Sequence, residues 1–531
     1  MSGINVVCRA AAVLLCAIPM LAGATNGYFA HGFSAAQKAL GGAGTALPED
    51  ALIGSINPAG MVWMGDSVDV NLSMFTPIRD YQARERGVSA EQGIVTLSPI
   101  AENRSHNEYY PLPALGYNRR WGERASWGVT MFGNGGLNTE YNESITTVFA
   151  QNFRAPANLD AVLGPLVGGA VPLNLEEECE GSLGGGAIVR GPGNFCGEEG
   201  GKRSGVDLAI LFVAPTLSYK IGERSSVGIS VLGALSRFAA QGLGAFKQFS
   251  NAPDKVTNNG HDIAVGGGYR IGVLTGVIPF VNLGASYQSR VWMGEFDDYR
   301  GLFAKQGDFD VPETWNLGVA VQLTGDLQLV ADYQRINYSD IRSVGNPFDP
   351  NDFVNNCAIP RLFARLGFGG STEPSDSCLG ATVGPGFGWQ DMEVYKFGLQ
   401  YTRGDHKFRV GYSQTEQPIP PTEVLFNTLA PGVIEQHFTA GMSLRWRKNL
   451  FVELALMYAP LKQVTGKNPL SNTEANFGDL IGQAIPVPGL GALLGGSGTD
   501  LATAFGPDPD DQDIRIQMRQ YELTVGLAWR F

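Results

Sequence analysis

The side chains best suited to chemistry in this 531-residue sequence are few and scattered. Its five histidines are His31, His106, His261, His406 and His437. No two stand at metal-ligand spacing, and none lies beside a serine in a nucleophile motif. A surface lipase or protease would need a serine and a histidine to meet in the fold, and no convincing pair stands out. There is no Cys-x-x-Cys, so a zinc ribbon or redox motif is not expected. No catalytic residue, metal or cofactor is therefore assigned, and the reading turns to binding. The stretch "FAAQGLGAFKQFSNAPDKV", Phe238 to Val256, has loop composition with some helical character. Phe246 and Phe249 lie three apart and would share a helix face. Rings in a solvated loop either pack on one another or wait for an apolar ligand. The run of Glu176, Glu177, Glu178, Glu180, Glu198 and Glu199 reads as a solvated acidic loop.

The elements that would position these residues follow from periodicity. The sequence opens with one charge, Arg9, then an apolar run to Leu21, and closes on Ala22-Gly23-Ala24. That is the pattern of a bacterial secretory signal, residues 1–24, with the mature chain starting near Thr25. No later stretch reaches the roughly 18 apolar residues of a membrane helix. Cys8 and Cys16 leave with the signal, and four cysteines remain. An exported chain with an even count suggests two local disulfides by spacing, Cys179 with Cys196 and Cys357 with Cys378. The spacing leaves other connectivities open. The net charge of −13 argues against a nucleic-acid partner.

The clearest pattern is alternation with period two. In "YELTVGLAWRF" the residues Tyr521, Leu523, Val525, Leu527, Trp529 and Phe531 share one face, and Glu522, Thr524 and Arg530 the other. A soluble sandwich turns the apolar face inward, whereas a membrane barrel turns it to lipid. Long segments, aromatics near their ends (Trp121, Trp292, Tyr338, Trp446, Trp529) and connections that alternate between short and long favour the barrel. Fourteen strands are predicted, at 66–75, 108–119, 124–136, 206–220, 224–238, 262–275, 279–297, 309–322, 326–341, 390–403, 406–415, 434–447, 449–463 and 516–531. The fold expected is all-β, a transmembrane antiparallel barrel over 66–531. Fourteen strands enclose more space than their own side chains fill. The small-residue segment 25–65, including "GGAGTALPEDALIGSINPAGM", is expected to sit in that lumen as a hatch.

These residues resemble the long-chain fatty acid transporter family of Gram-negative outer membranes, which includes FadL and the toluene channels. The resemblance rests on Asn57-Pro58-Ala59 just before the first strand, "SWGVTMFGNGGLNTEY" as a kinked third strand, "VPETWNLGVAV" as the eighth, and "VGYSQTEQPIPPTE" as the eleventh with its Pro-rich loop. It implies that Asn57, Pro58 and Ala59 brace the hatch against the third-strand kink. It also implies that Gly133, Gly135 and Gly136 form that kink and open the wall sideways. A bulge there would break pairing with the next strand. The resemblance sets Arg237 near an arginine that meets a fatty acid carboxylate. Strand parity instead groups Arg237 with Val227, Ile229, Val231 and Leu235 on the outward face, unless a bulge re-aims it. Phe238, Phe246 and Phe249 would contribute to an apolar landing groove.

The function implied is passive outer-membrane transport of hydrophobic molecules, foremost long-chain fatty acids, and not catalysis. Ligand capture by loops, hatch movement and lateral release would follow in turn. The alternatives are a small aromatic hydrocarbon channel and, further off, a general porin, an adhesin or a barrel lipase. Implied partners are outer-membrane lipid, lipopolysaccharide through a divalent cation at the acidic loop, and the barrel-assembly machinery through Phe531. A monomer is expected.

Overall fold

The computed structural model describes residues 26–84, 95–97, 103–141, 146–148, 203–358, 360–361, 364, 370–469 and 513–531. The expected signal peptide, the acidic loop and the Cys179–Cys196 pair lie outside the described residues.

Fourteen long strands form the wall. They are β1 (Ser67–Arg84), β2 (Tyr110–Trp121), β3 (Ala125–Tyr141), β4 (Ser204–Lys220), β5 (Ser225–Gln241), β6 (Asp262–Ile278) and β7 (Val281–Gln288). The second half is β8 (Thr314–Gln322), β9 (Leu327–Ile336), β10 (Met392–Arg403), β11 (His406–Thr415), β12 (Gln436–Arg447), β13 (Leu450–Lys467) and β14 (Asp513–Arg530). Each pairs antiparallel with its chain neighbours. β14 returns to β1 with Ser67 opposite Arg530 and Arg84 opposite Asp513, which closes the ring. Closure matters because an open edge in lipid would leave backbone groups without partners.

Every strand predicted from periodicity is present, with shifted ends. β1 continues past residue 75 to Arg84, because Thr76–Arg84 pair residue for residue with Tyr521–Asp513 despite Pro77. β7 stops at Gln288, short of the expected 297, and Trp292–Met293 folds back onto Gly267 and Gly266 of β6. β8 starts at Thr314, two residues after Pro312, where the chain has no N–H to donate.

The two faces of the wall decide the setting. On β14 the outward Leu523, Val525, Leu527 and Trp529 are 43–51% exposed, while the inward Glu522, Thr524 and Gly526 are shielded. Apolar side chains face out and polar ones face in, the reverse of a soluble sandwich. The ends differ as well. The connections β2–β3, β4–β5, β6–β7, β8–β9, β10–β11 and β12–β13 are tight turns, at the end where β1 begins and β14 finishes. All long connections lie at the opposite end, which in bacterial barrels is the outside of the cell.

Residues 26–66 precede β1 and are buried almost throughout. A capping box of Ser34 and Gln37 starts the short helix α1 (Ala35–Ala39). Two 3₁₀ turns follow, Ala51–Ser55 and Pro58–Trp63. Their polar groups bond to the inward side chains of the wall, so the segment runs inside the barrel.

Candidate functional site

The wall is not uniformly paired. The β2–β3 ladder runs from Trp121 opposite Ala125 to Ala114 opposite Phe132 and stops there. β3 stays paired with β4 up to Tyr141 opposite Ser204, with a bulge between Gly133 and Gly135. Above the bulge the alternation in exposure disappears, and every residue from Asn134 to Thr139 is buried. The upper half of β3 therefore swings off β2 toward the lumen. Tyr110, an inward residue of β2, donates from its hydroxyl to Asn138 Oδ1 at 2.6 Å. Asn138 pairs with Asp207, which lies on the outward face of β4. The inner face of β2 thus overlaps the outer face of β3, leaving a seam.

This corrects the expectation that pairing with the next strand would break. The lost ladder is with the preceding strand, and the reason lies in β2. Pro111 and Pro113 have no N–H, and residues two apart point to the same edge of a strand. Pairing with β1 continues past both, with Leu72 opposite Pro113 and Met74 opposite Pro111. Pairing with β3 ends one residue before Pro113. The signal that could have located the gap is the Pro-x-Pro at 111–113, which sequence reasoning missed. Of the three glycines, Gly135 is required by close approach, since a Cβ there would lie 2.8 Å from the Tyr28 ring. Gly133 has its nearest neighbour at 3.9 Å and is not under that constraint. Gly136 N donates to Tyr28 O at 3.1 Å.

Side chains clasp the seam. Asn107 Nδ2 donates to Asn138 Oδ1 at 3.2 Å, and Asn138 Nδ2 donates to Asp207 Oδ1 at 2.9 Å. Arg79 Nη2 donates to the Tyr110 hydroxyl at 2.8 Å. His106 N closes the top by donating to Glu140 O at 2.8 Å.

Arg237 does not face the lumen. Its parity holds, and its guanidinium pairs with Asp207 at 2.9 Å on the outward face, where His261 Nε2 also meets Asp207 at 2.9 Å. No bulge interrupts β5 to re-aim it. The expectation of Arg237 as a carboxylate ligand in the lumen is corrected accordingly.

Phe238, one residue on, points inward. Its ring lies 4.9 Å from Tyr299 and 4.7 Å from Phe303. It lines a small cavity of about 40 Å³ beneath the loops together with Val206, Leu302, Phe387, Phe426 and Leu429. Among the described lining residues, Ser343 carries the one polar side chain and none carries a positive charge. Phe246 and Phe249 sit in a 3₁₀ turn, Gly244–Phe249, whose three-residue period sets both on one buried face. They do not line the cavity but back its wall, with Phe246 against Phe426 at 5.7 Å and Phe249 against Phe353 at 5.4 Å. The disulfide Cys357–Cys378 is formed, next to the lining residue Leu379.

A chain of rings leads from the cavity to the seam. Phe303 meets Phe309 at 5.3 Å, and Phe309 meets Tyr28 at 5.9 Å. Tyr28 also meets Tyr338 at 5.1 Å and Trp389 at 5.9 Å. Burial, then the neighbouring Tyr338 and Asp310, raises the Tyr28 phenol well above its usual range. Tyr338 is expected at the end of a strand 326–341 as an interface aromatic, but β9 stops at Ile336 and the ring turns into the buried chain instead, while Trp389 lies just before β10 in a connection with no periodic signal.

Asn57, Pro58 and Ala59 lie elsewhere than expected. Asn57 Nδ2 donates to Thr45 O at 2.8 Å and to Val273 O of β6 at 3.0 Å. Ser218 of β4 and Ser226 of β5 donate to Ala59 O at 3.1 and 2.7 Å. Gly272 permits this approach, since a Cβ there would fall 2.0 Å from Asn57 Oδ1. The motif thus bonds to β4, β5 and β6, and the β3 bulge is held by Tyr28–Ala30 instead. Elsewhere the segment is fastened by charge. Lys38 pairs with Glu522. Asp332 accepts from Gly44 N and Thr45 N, both at 2.8 Å. Glu49 meets Arg409 at 2.7 Å and Lys407 at 2.5 Å. Burial alone would raise the Glu49 carboxyl, but these two cations outweigh it and hold the group down at about 2.

One serine and histidine do meet: Ser413 Oγ and His437 Nδ1 are 3.0 Å apart across β11 and β12. His437 Nε2 has no partner, and the ring stacks at 4.6 Å on His31. No carboxylate orients the pair among the described residues, and both groups are buried under the N-terminal segment. The pair is packed inside the barrel, with His437 and Ser413 each fully buried.

Among known proteins, the family model described as outer membrane protein transport protein (OMPP1/FadL/TodX) matches residues 192–484, more than half the chain. The fold is similar to that of the Pseudomonas putida toluene transporter TodX, with a TM-score of 0.55 at 16% identity over 96% of this chain and 100% of the other. It is also similar to a Pseudomonas aeruginosa FadL homologue, with a TM-score of 0.54 at 12% identity over 95% and 100%. No curated protein matches the chain.

Proposed function

The chain belongs to the OMPP1/FadL/TodX family of outer membrane transport proteins, and from that premise we propose that it carries neutral hydrophobic molecules from its outer cavity to the bilayer through the β2–β3 seam. The observation that carries this reading is the continuity of the route. An apolar cavity, a chain of rings and an unpaired stretch of wall adjoin one another, and Tyr28 touches both the rings and the bulge. Residues 26–66 act as the hatch that blocks the lumen below this route, braced at Asn57, Pro58 and Ala59. A hatch fastened by buried ion pairs disfavours free axial flow, so the cargo leaves sideways. Capture requires the cavity of about 40 Å³ to widen as the loops part, and draws on apolar burial, about 0.8 kcal/mol for each methylene-sized group. Transport runs down the gradient, with no catalytic step. Insertion through the barrel-assembly machinery at Phe531, contact with lipopolysaccharide and a monomeric state belong to the same proposal.

Neutral cargo is favoured over long-chain fatty acids because no described lining residue is cationic and Arg237 is turned to the outer face. The structural neighbour TodX is a toluene transporter, and a neutral aromatic of that kind fits this chemistry. A fatty acid is the second reading, since the resemblance covers the long-chain fatty acid transporters as well as the toluene channels. The deciding experiment titrates the detergent-purified protein with toluene and with oleate, following the fluorescence of buried Trp389. Saturation by toluene, with oleate weaker and indifferent to Arg237→Ala, supports the proposal. Tighter oleate binding that is lost in Arg237→Ala overturns the choice of cargo. Saturation by neither overturns transport.

A further inference from the structure

The outward face of β14 changes character at one position. On the turn side, Tyr521 is followed by the apolar Leu523, Val525, Leu527 and Trp529, and on the loop side by the polar Arg519, Gln517 and Arg515. The inward face changes the opposite way, with Met518, Ile516 and Ile514 buried above Glu522 and Thr524. This crossover marks where hydrocarbon ends on the loop side of the wall. Just within it, the outer surface of β12, β13, β14 and β1 holds a groove of about 530 Å³. Clefts that bind small ligands span about 300–1,000 Å³. One register row borders the groove, with Phe438 opposite Tyr458, Tyr458 opposite Tyr521, and Tyr521 opposite Thr76. Ala440 and Leu523 line it from the next row. The three rings are 43–49% exposed, so the groove opens to the membrane and not to the lumen.

The loop-side edge of the groove offers polar groups that the chain itself does not use. Arg519 is exposed and forms no ion pair among the described residues. Of the carboxylates near this height, Glu435 is held by Lys462 at 2.6 Å, and Asp80 accepts from Gln517 Nε2 at 3.3 Å. The rings of Tyr458 and Tyr521 lie 5.3 Å apart, and neither hydroxyl has a partner among the described residues.

We propose that this groove binds one lipopolysaccharide molecule of the outer leaflet, with an acyl chain lying along it and a lipid A phosphate resting on Arg519. This rests on the outer-membrane reading above and gives its lipopolysaccharide contact a place. The long connections set this edge on the outer side, where the leaflet is a phosphorylated glycolipid. A guanidinium suits phosphate by charge and by its two parallel donors. The two phenols sit at the interface, where ester and sugar groups lie. An acyl chain in a groove gains contacts that a flat wall does not supply. A second copy of the chain seated on the same face would bring its own Arg519 to the same height, which like charges disfavour.

The test follows the intact protein, stripped of lipid in detergent, by native mass spectrometry with lipid A and with phosphatidylglycerol. The expected result is one lipid A per barrel, held at least about tenfold more tightly than phosphatidylglycerol. Arg519→Gln weakens lipid A about tenfold, the scale of one charge-assisted contact. Ala440→Trp fills the groove and weakens both lipids. Leu283→Trp, on the outward face of β7 at the far side of the ring, leaves both unchanged. Equal binding of the two lipids, lipid A binding that neither Arg519→Gln nor Ala440→Trp alters, or paired chains in place of bound lipid overturns the inference. Toluene binding measured on the same protein separates the two readings. Its persistence upholds transport where the lipid result fails, and its absence overturns transport where the lipid result holds.

Discussion

At the scale of single residues, the charges inside the lumen matter most for holding residues 26–66 in place. Glu49 sits between Lys407 and Arg409 with little access to water. Glu49→Gln would strand the buried Arg409 guanidinium, and breaking such a pair costs about 3 kcal/mol or more. The expected result is a lower unfolding midpoint in urea for the detergent-solubilised protein. The pH dependence follows from direction. The folded Glu49 carboxyl is depressed to about 2, so its contribution is complete above the ordinary value near 4.5 and is lost as pH falls toward 2. His31 acts higher on the scale. Burial, then His437, Lys396 and Lys38, lowers its imidazole well below 6.5. The unfolded chain therefore takes up a proton that the folded one refuses, and stability declines as pH drops below about 6.5. The slope from this group approaches about 1.4 kcal/mol per pH unit. His31→Phe should flatten the decline between pH 6 and 5, and an unchanged slope would assign it to another group. Arg237 teaches a related lesson about reading residues. Strand parity placed it outward, and the resemblance placed it at a ligand. Parity prevailed, because β5 keeps one register with both neighbours and is paired on both sides at Arg237, which leaves nothing to turn the side chain.

At the scale of elements, the seam belongs to two strands, and only one was read as special. Glycines in β3 announced a kink, but Pro111 and Pro113 in β2 explain which ladder is missing. Pro111→Val together with Pro113→Val restores the absent donors. The expected outcome is a closed or narrowed seam, with delivery of cargo into liposomes reduced about tenfold and affinity in detergent unchanged. The clasp makes the opposite prediction. Asn138→Ala removes the acceptor shared by Asn107 and Tyr110, so delivery should speed up by a few-fold, again at constant affinity. A variant that changed affinity and delivery together would tie these residues to the cavity instead. All strands were legible because an outward apolar face and an inward polar one repeat every two residues. Their ends were less so, since pairing beyond the bilayer, as in Thr76–Arg84, needs no apolar face. The cavity was half legible. Phe238 was singled out by type and does line the cavity, Phe246 and Phe249 only back its wall, Tyr338 was read as the end of a strand that stops at Ile336, and Ser343 and Trp389 lie where no period operates.

At the scale of the whole molecule, the barrel has a closed hydrogen-bonded ring at its turn end and an interrupted one nearer the loop end. Its position along the wall has a consequence for where cargo goes. The Arg237–Asp207–His261 group faces outward beside the upper part of the seam. Charges of that kind do not rest in hydrocarbon, so they mark the height at which acyl chains give way to headgroups. The seam begins at Phe132, six residue positions along β3 from Asn138, on the acyl-chain side of that mark. A molecule leaving there arrives in the outer leaflet. Its crossing to the periplasmic leaflet is then a matter of its own partitioning, and this step favours small uncharged solutes over any that must carry a headgroup through the bilayer midplane.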